Sequence, residues 1–433
     1  MPVTITSLGN GVDGLFYRDN RFRTTLISFN FYLPLSPKTV AANALLPFLM
    51  TTCSKEYPDF SKLNYKLNKL YGAQLEAVAE KHGDLQLLQL SISVIHDRFA
   101  LDEESLTEQA CDLLMQMIFE PKVENGAFFA EDVEREKRKA VEHIYGEMNN
   151  KRLYAKTKML SAMFRDDVYG TPKCGTAEQV EALTGEELYQ AWRHMLKHAK
   201  VRVHVLSNAL PNNLFTRIAE RFSTMERTEI TDCQKIIPTK PCKTVQHLTE
   251  RMDVAQGKLV MGFSSRLNGN DTAALPLTVM CDLFGGGPYS KLFANVREKM
   301  SLCYYCSASS YRGKGLLLVD SGVEMKNADR AEQEILKQLE SVQRGEFGDF
   351  EYQASLKSIS DSVRAANDSQ NAMNLWFSLR IADENLWTPD DFAAQISTVT
   401  REQIIDAANG IQLHTVYRLL PKEKEENHEA NCL

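Results

Sequence analysis

Arg297 and Tyr304 stand seven residues apart, the arginine closing an expected short helix and the tyrosine opening an expected strand. A guanidinium presents a planar fork of donors that suits carbonyl and carboxylate oxygens. A phenol presents one hydroxyl that can donate to negative charge developing on oxygen. Just upstream, Gly285-Gly286-Gly287 lets the backbone approach a neighbour closely or take a positive φ. The run GGGPYSK lacks the Gly-Lys-Ser/Thr ending of a phosphate loop, so these glycines do not read as a phosphate cradle.

Two further groupings could do chemistry. His194 and His198, at i and i+4, put two imidazoles on one helix face. Arg193, Lys197 and Lys200 crowd them with positive charge and no third ligand is evident, so a basic helix end is the plainer reading. Cys303 and Cys306 form a Cys-x-x-Cys run. On a strand, a spacing of three sends the side chains to opposite faces, and both read as ordinary apolar thiols.

The elements that position these residues run over 273–323: an apolar helix, the three glycines, a second short helix, an extended stretch, a reversal near 313–315 and a strand over 316–323. Upstream, 24–33 alternates as a strand, 40–52 and 61–70 read as helices, and 72–78 with 85–94 as paired strands. Helices follow over 103–119, 131–149, 155–164 and 185–200, then a strand over 201–207 and a helix over 212–222. Residues 223–245 are polar, aperiodic and hold Pro238 and Pro241, which marks a linker. Beyond the 273–323 segment, the remaining helices fall over 330–342, 352–382, 389–397 and 401–409, a strand over 413–420, and a charged, frayed tail ends the chain.

The halves repeat. Shifted by about 230 positions, Ala44-Leu45 faces Ala274-Leu275 and Met50 faces Met280; one position less aligns 87–94 with 316–323. The expected fold is α+β: two homologous domains, 1–222 and 246–433, joined by 223–245, each a largely antiparallel sheet with helices on one face. A length of 433 residues suits two cores. The net charge of −7 argues against nucleic acid, and no run has the apolar length of a membrane span. Nine cysteines without framework spacing suit a reducing compartment, and the first residues lack a signal pattern, so the expected location is cytoplasmic.

The segment carrying Arg297 resembles the second-half signature of the insulinase/pitrilysin family of zinc peptidases, which includes mitochondrial processing peptidase. It shares Gly285-Gly286-Gly287, Leu292-Phe293, Val296-Arg297-Glu298-Lys299, Leu302 and Tyr304. Tyr169-Gly170, Gly175, Leu183-Thr184, Gln256-Gly257 and Gly262-Phe263 extend the resemblance over nearly the whole chain. It implies two homologous α+β domains that close with a second such subunit. Arg297 and Tyr304 would hold substrate over a zinc site, with Gly285, Gly286 and Gly287 beside it.

Family peptidases carry His-x-x-Glu-His on the first-half helix, two zinc ligands flanking the general base. Aligned through Phe48-Leu49 and Tyr57-Pro58, the ligand positions here fall on Pro47 and Thr51, and the base on Met50. Neither proline nor methionine can do that work, and threonine is a poor zinc ligand. The third ligand position falls best on His143, with Glu136 seven residues earlier; Glu142 and Glu147 are alternatives. The resemblance therefore implies a non-catalytic subunit of a heterodimeric zinc endopeptidase, with no metal or cofactor of its own. It would supply Arg297 and Tyr304 to a zinc-bearing sister acting on peptides or unfolded protein. The alternative is an inactive scaffold or peptide-binding protein of the same fold.

Overall fold

The computed structural model describes residues 3–102, 104–234, 237–265 and 271–422; most of the charged tail lies outside them. In chain order the first elements are β1 (Val3–Gly9), β2 (Val12–Arg18), β3 (Thr24–Pro34), α1 (Val40–Met50), α2 (Phe60–Lys69), β4 (Gln74–His82), β5 (Leu85–Ile95) and α3 (Leu106–Phe119). A small hairpin, β6 (Val123–Glu124) and β7 (Ala127–Phe128), leads into α4 (Ala130–Asn149), α5 (Lys151–Met163), α6 (Ala177–Ala182), α7 (Gly185–His198), β8 (Lys200–Ser207) and α8 (Leu214–Ser223). Then come β9 (Gln246–Met252), β10 (Gly257–Ser265), α9 (Asp271–Gly285), a π-helical segment (Leu292–Lys299), β11 (Cys303–Tyr311) and β12 (Leu316–Val323). The chain closes with α10 (Ala328–Gln343), α11 (Asp349–Arg364), α12 (Gln370–Ser378), α13 (Pro389–Ile396), α14 (Arg401–Asn409) and β13 (Ile411–Pro421).

Several elements were not read from the sequence, among them the short hairpin β6–β7 and helix α6. The hairpin β1–β2 turns through Asn10 at φ 50° between Gly9 and Gly11, and its Asn-Gly dipeptide was the available signal. The polar strand β9 pairs in parallel with β13 and has no apolar alternation to betray it.

The two sheets share the order of five strands, and the first carries β1 in addition. The first runs β1-β2-β8-β3-β5-β4 and the second β11-β12-β10-β13-β9. In each, one pair is parallel, β2 with β8 and β9 with β13, and the remaining pairs are antiparallel. Strands β5 and β12 contain the segments 87–94 and 316–323 that the sequence repeat aligned. The α+β class with antiparallel-rich sheets is as expected.

A boundary between two compact units falls after Ile237, inside the expected linker 223–245, and each unit also includes a segment from the other half of the sequence. One compact unit comprises Met1–Gly146, Asp166–Ile237 and Ser360–Ala394; the other comprises Glu147–Arg165, Pro238–Ile359 and Gln395–Leu433. Each unit therefore takes helical cover from the opposite half of the sequence, which puts helices on the second face of its sheet as well. In the first unit, Ile27, Phe29 and Phe31 of β3 face one way, into the core with α1, α3, α7 and α8. On the reverse face, Met373 and Phe377 of α12 pack on Leu15, Tyr17, Leu26 and Leu206. Gln370 fixes that docking, donating through Nε2 to Thr24 O at 2.8 Å and Leu206 O at 3.0 Å. In the second unit α5 lies on β10 and β13, while α9 packs against β11. Local sequence fixes that these segments are helical; side-chain fit decides which sheet each one covers.

Candidate functional site

In the second unit, the π-helical segment is anchored by the buried Leu292 and Val296. Its wide turn is visible in Met300 N–H donating to Asn295 O at 3.0 Å, five residues back; such turns recur at functional sites. Arg297 projects from this segment, its guanidinium 4.5 Å from the centroid of the Phe293 ring and its Nε 3.5 Å from Glu298. Ser301, at φ 50°, turns the chain sharply into β11.

Strand β11 then departs from regular pairing. Cys303 opposes Val323 and Tyr305 opposes Gly322, so Tyr304 has no partner position and forms a β-bulge. A bulge lifts one residue out of the ladder and re-aims its side chain. Tyr304 is accordingly 58% exposed, its hydroxyl donating to Glu324 Oε1 at 3.3 Å. Arg297 and Tyr304 share the wall of one open cavity of about 350 Å³, with Glu298, Ser301, Cys303 and Glu324 around them. The structure thus brings together the two residues that the sequence paired.

The three glycines have a packing explanation. None of them takes a positive φ. A Cβ on Gly285 would lie 2.6 Å from Ala308 N, and one on Gly286 would lie 2.2 Å from Asp282 Oδ2. They let the end of α9 close onto β11 and let Asp282 fold back over the turn, where it accepts from the Tyr289 hydroxyl at 2.5 Å. Burial holds the Asp282 carboxyl above the usual carboxylate range.

In the first unit, α1 turns Ala41, Ala44, Leu45 and Phe48 toward a cavity of about 420 Å³. Its other walls are residues 77–80 of β4, Glu136, Lys139, Ala140 and His143 of α4, and the Lys173-Cys174 turn. The residues of α1 that share a cavity with His143 are therefore not the ones the sequence alignment selected. Met50 is fully buried in the apolar core, and Thr51 caps the helix with its hydroxyl donating to Pro47 O at 2.9 Å. Ala44 and Phe48, four residues apart, are the α1 positions that share this cavity at the spacing of two ligands on one helix face. Neither they nor Pro47, Met50 and Thr51 carry a strong metal donor, so none comes from this helix in either register. Opposite, the Glu136 carboxylate is held by Lys139 at 2.9 Å and Arg135 at 3.0 Å. Among the described residues no three histidine, cysteine, aspartate or glutamate side chains converge as a ligand set. A zinc ion does not fit the residues present.

His194 and His198 do stack, with ring centroids 4.6 Å apart. His198 Nδ1 donates to Thr228 O at 2.8 Å, which ties that ring to the backbone.

Residues 182–359 match a family model described as the Peptidase M16 inactive domain. A probable inactive metalloprotease, YmfF of Bacillus subtilis, is 29% identical over 419 residues, covering 96% of this chain and 97% of its own. An uncharacterized zinc protease of the same organism, YmxG, is 23% identical over 275 residues, 63% of this chain and 64% of its own. Among solved structures, a conserved protein from Enterococcus faecalis superposes with a TM-score of 0.90 at 25% identity, over 98% of this chain and 100% of that one. A structure from Pseudomonas fluorescens described as a peptidase M16 inactive domain shares the fold, with a TM-score of 0.77 at 15% identity over 98% and 100%.

Proposed function

We infer that this chain, a homologue of the M16 peptidases that matches their inactive members, is the non-catalytic, substrate-binding subunit of a two-subunit zinc endopeptidase. The observation that carries the reading is an asymmetry. On α1 neither the cavity-lining Ala44 and Phe48 nor the aligned Pro47, Met50 and Thr51 offer a metal donor, whereas Arg297 and Tyr304 remain together on one cavity wall, each held there by an irregular element. A zinc-bearing relative would supply metal and general base. Arg297 would grip a peptide carbonyl, and the Tyr304 hydroxyl would donate to the oxyanion formed as the carbonyl is attacked. Peptide as the substrate class is further supported by the edge strands β4 and β11, whose outer backbone groups have no ladder partner among the described residues and can pair with an extended chain. We place the complex in the cytoplasm, where the free cysteines would stay reduced.

The test is reconstitution with a zinc-bearing M16 subunit from the same source, followed by Tyr304→Phe and Arg297→Ala made separately. Tyr304→Phe removes one hydroxyl and little volume, so assembly should persist while kcat drops on the order of a hundredfold. Arg297→Ala should raise KM as well, since it also loses ground-state grip on the peptide. Wild-type turnover in both assembled variants would favour a second reading, an inactive peptide-binding protein. That reading draws on the apolar cavity beside the 39%-exposed Phe48, which suits an apolar side chain.

A further inference from the structure

The bulge that exposes Tyr304 also changes the relation between the two cysteines beside it. On an unbroken strand, positions i and i+3 lie about 10 Å apart and face opposite ways, too far for a disulfide. Here Cys303 opposes Val323 and Cys306 opposes Ser321. These partners are two positions apart on β12, so both cysteines point to the same face, at a separation of about 7 Å along the strand. That lies just beyond the usual range for a disulfide, so bridging requires the backbone at the bulge to move. The two thiols influence one another's ionisation, and Ser321 acts on both.

We propose that Cys303 and Cys306 are a reversible redox pair that low-molecular-weight disulfides oxidise to an intramolecular disulfide. Their chemistry is divided. Both are buried, but Cys303 forms part of the wall of the Arg297–Tyr304 cavity and Cys306 does not line it. The neighbouring Cys306 holds the Cys303 thiol below its usual value, with Ser321 and Arg297 acting in the same direction, while Cys306 is pushed up. Four other thiols, Cys53, Cys111, Cys233 and Cys281, are pushed up to about 12 by burial and are poor nucleophiles.

The Cys303 thiolate attacks one sulfur of the small disulfide, forming a mixed disulfide and expelling one small thiolate, which takes up a proton. Cys306 then loses its proton and attacks the Cys303 sulfur, expelling the second small thiol. Two protein thiols are oxidised and one external disulfide is reduced to two thiols. On the functional reading above, closing this bridge would reset the bulge that aims Tyr304.

The test uses the purified full chain in its folded state. It is incubated with oxidised glutathione, its free thiols are blocked by alkylation, and a peptide map is read by mass spectrometry. The expected result is loss of alkylation at Cys303 and Cys306 alone, a peptide lighter by two hydrogens, and full reversal by dithiothreitol. Cys306→Ser should accumulate a glutathione adduct at Cys303, and Cys303→Ser should accumulate none at Cys306. Continued alkylation of both cysteines in the wild-type protein, or a bridge to a different cysteine, overturns the proposal. The measurement needs neither a partner nor activity, so its failure leaves the Arg297–Tyr304 reading standing, and failure of that reading leaves this one standing.

Discussion

His204 shows how much a single buried group can set. It sits on the reverse face of β8, fully buried, with Nδ1 donating to Asn374 Oδ1 at 2.8 Å. Burial, with Arg202 nearby, lowers its pKa from the ordinary 6.5 to about 3. Between these values the unfolded chain binds a proton that the folded chain refuses, so stability is present at neutral pH and is lost as pH falls below 6.5. At about pH 5 the loss from this one group is about 2 kcal/mol. His96 and His414, also held down by burial, act with the same sign. Denaturant melts at about pH 7 and about pH 5 should show a smaller acid loss in His204→Gln than in the wild-type protein. An unchanged difference would exclude His204 as a source. Gly285 is a steric counterpart: Gly285→Ala must push Ala308 N away from 2.6 Å, and should cost about 1–3 kcal/mol in the same melts.

Among the elements, α5 has the most to lose from one substitution. Asp320 on β12 is 2% exposed. It receives Arg152 Nε, Lys156 Nζ at 3.3 Å and the Ser307 hydroxyl at 3.0 Å. Arg152 also lies over the Tyr305 ring, 4.3 Å from its centroid. Asp320→Asn leaves two cations against the sheet without their anion. With Arg152 about half exposed, the cost should be roughly 2–3 kcal/mol, below that of a fully buried pair. Fragments 147–165 should become early sites of proteolysis in that variant, because the lost bonds are those that seat the helix. Protection equal to wild type would mean that packing alone holds it. The bulge at Tyr304 was not legible in the sequence: nothing in Cys303-Tyr304-Tyr305-Cys306 marks an extra residue, and only pairing with β12 reveals it.

For the molecule as a whole, the two registers available on α1 make a discriminating prediction about metal. Ala44→His with Phe48→His places two imidazoles on the helix face that shares a cavity with His143, and such a variant should retain zinc after dialysis. Pro47→His with Thr51→His should retain none, since Thr51 lies at the helix end beyond that cavity. Elemental analysis of the two variants separates the registers, and zinc in the second but not the first would favour the alignment drawn through Phe48 and Tyr57-Pro58.

Much was settled by sequence alone, and for a local reason. Alternation and apolar periodicity gave most strands and helices, and the shift of about 230 positions gave the repeat that the matching strand orders display. The absence of histidine and glutamate from the α1 motif held in either register, because no residue from 44 to 51 offers a strong metal donor. The juxtaposition of Arg297 with Tyr304 was legible because both lie in one ordered, motif-rich segment. Tertiary structure decided everything that depends on pairing between distant segments. It chose which sheets α5 and α12 cover, which face of α1 lines a cavity, and where β11 carries its extra residue. Helix propensity is a property of a dozen consecutive residues, whereas facing, docking and strand register are set by the complementary surface that those residues meet.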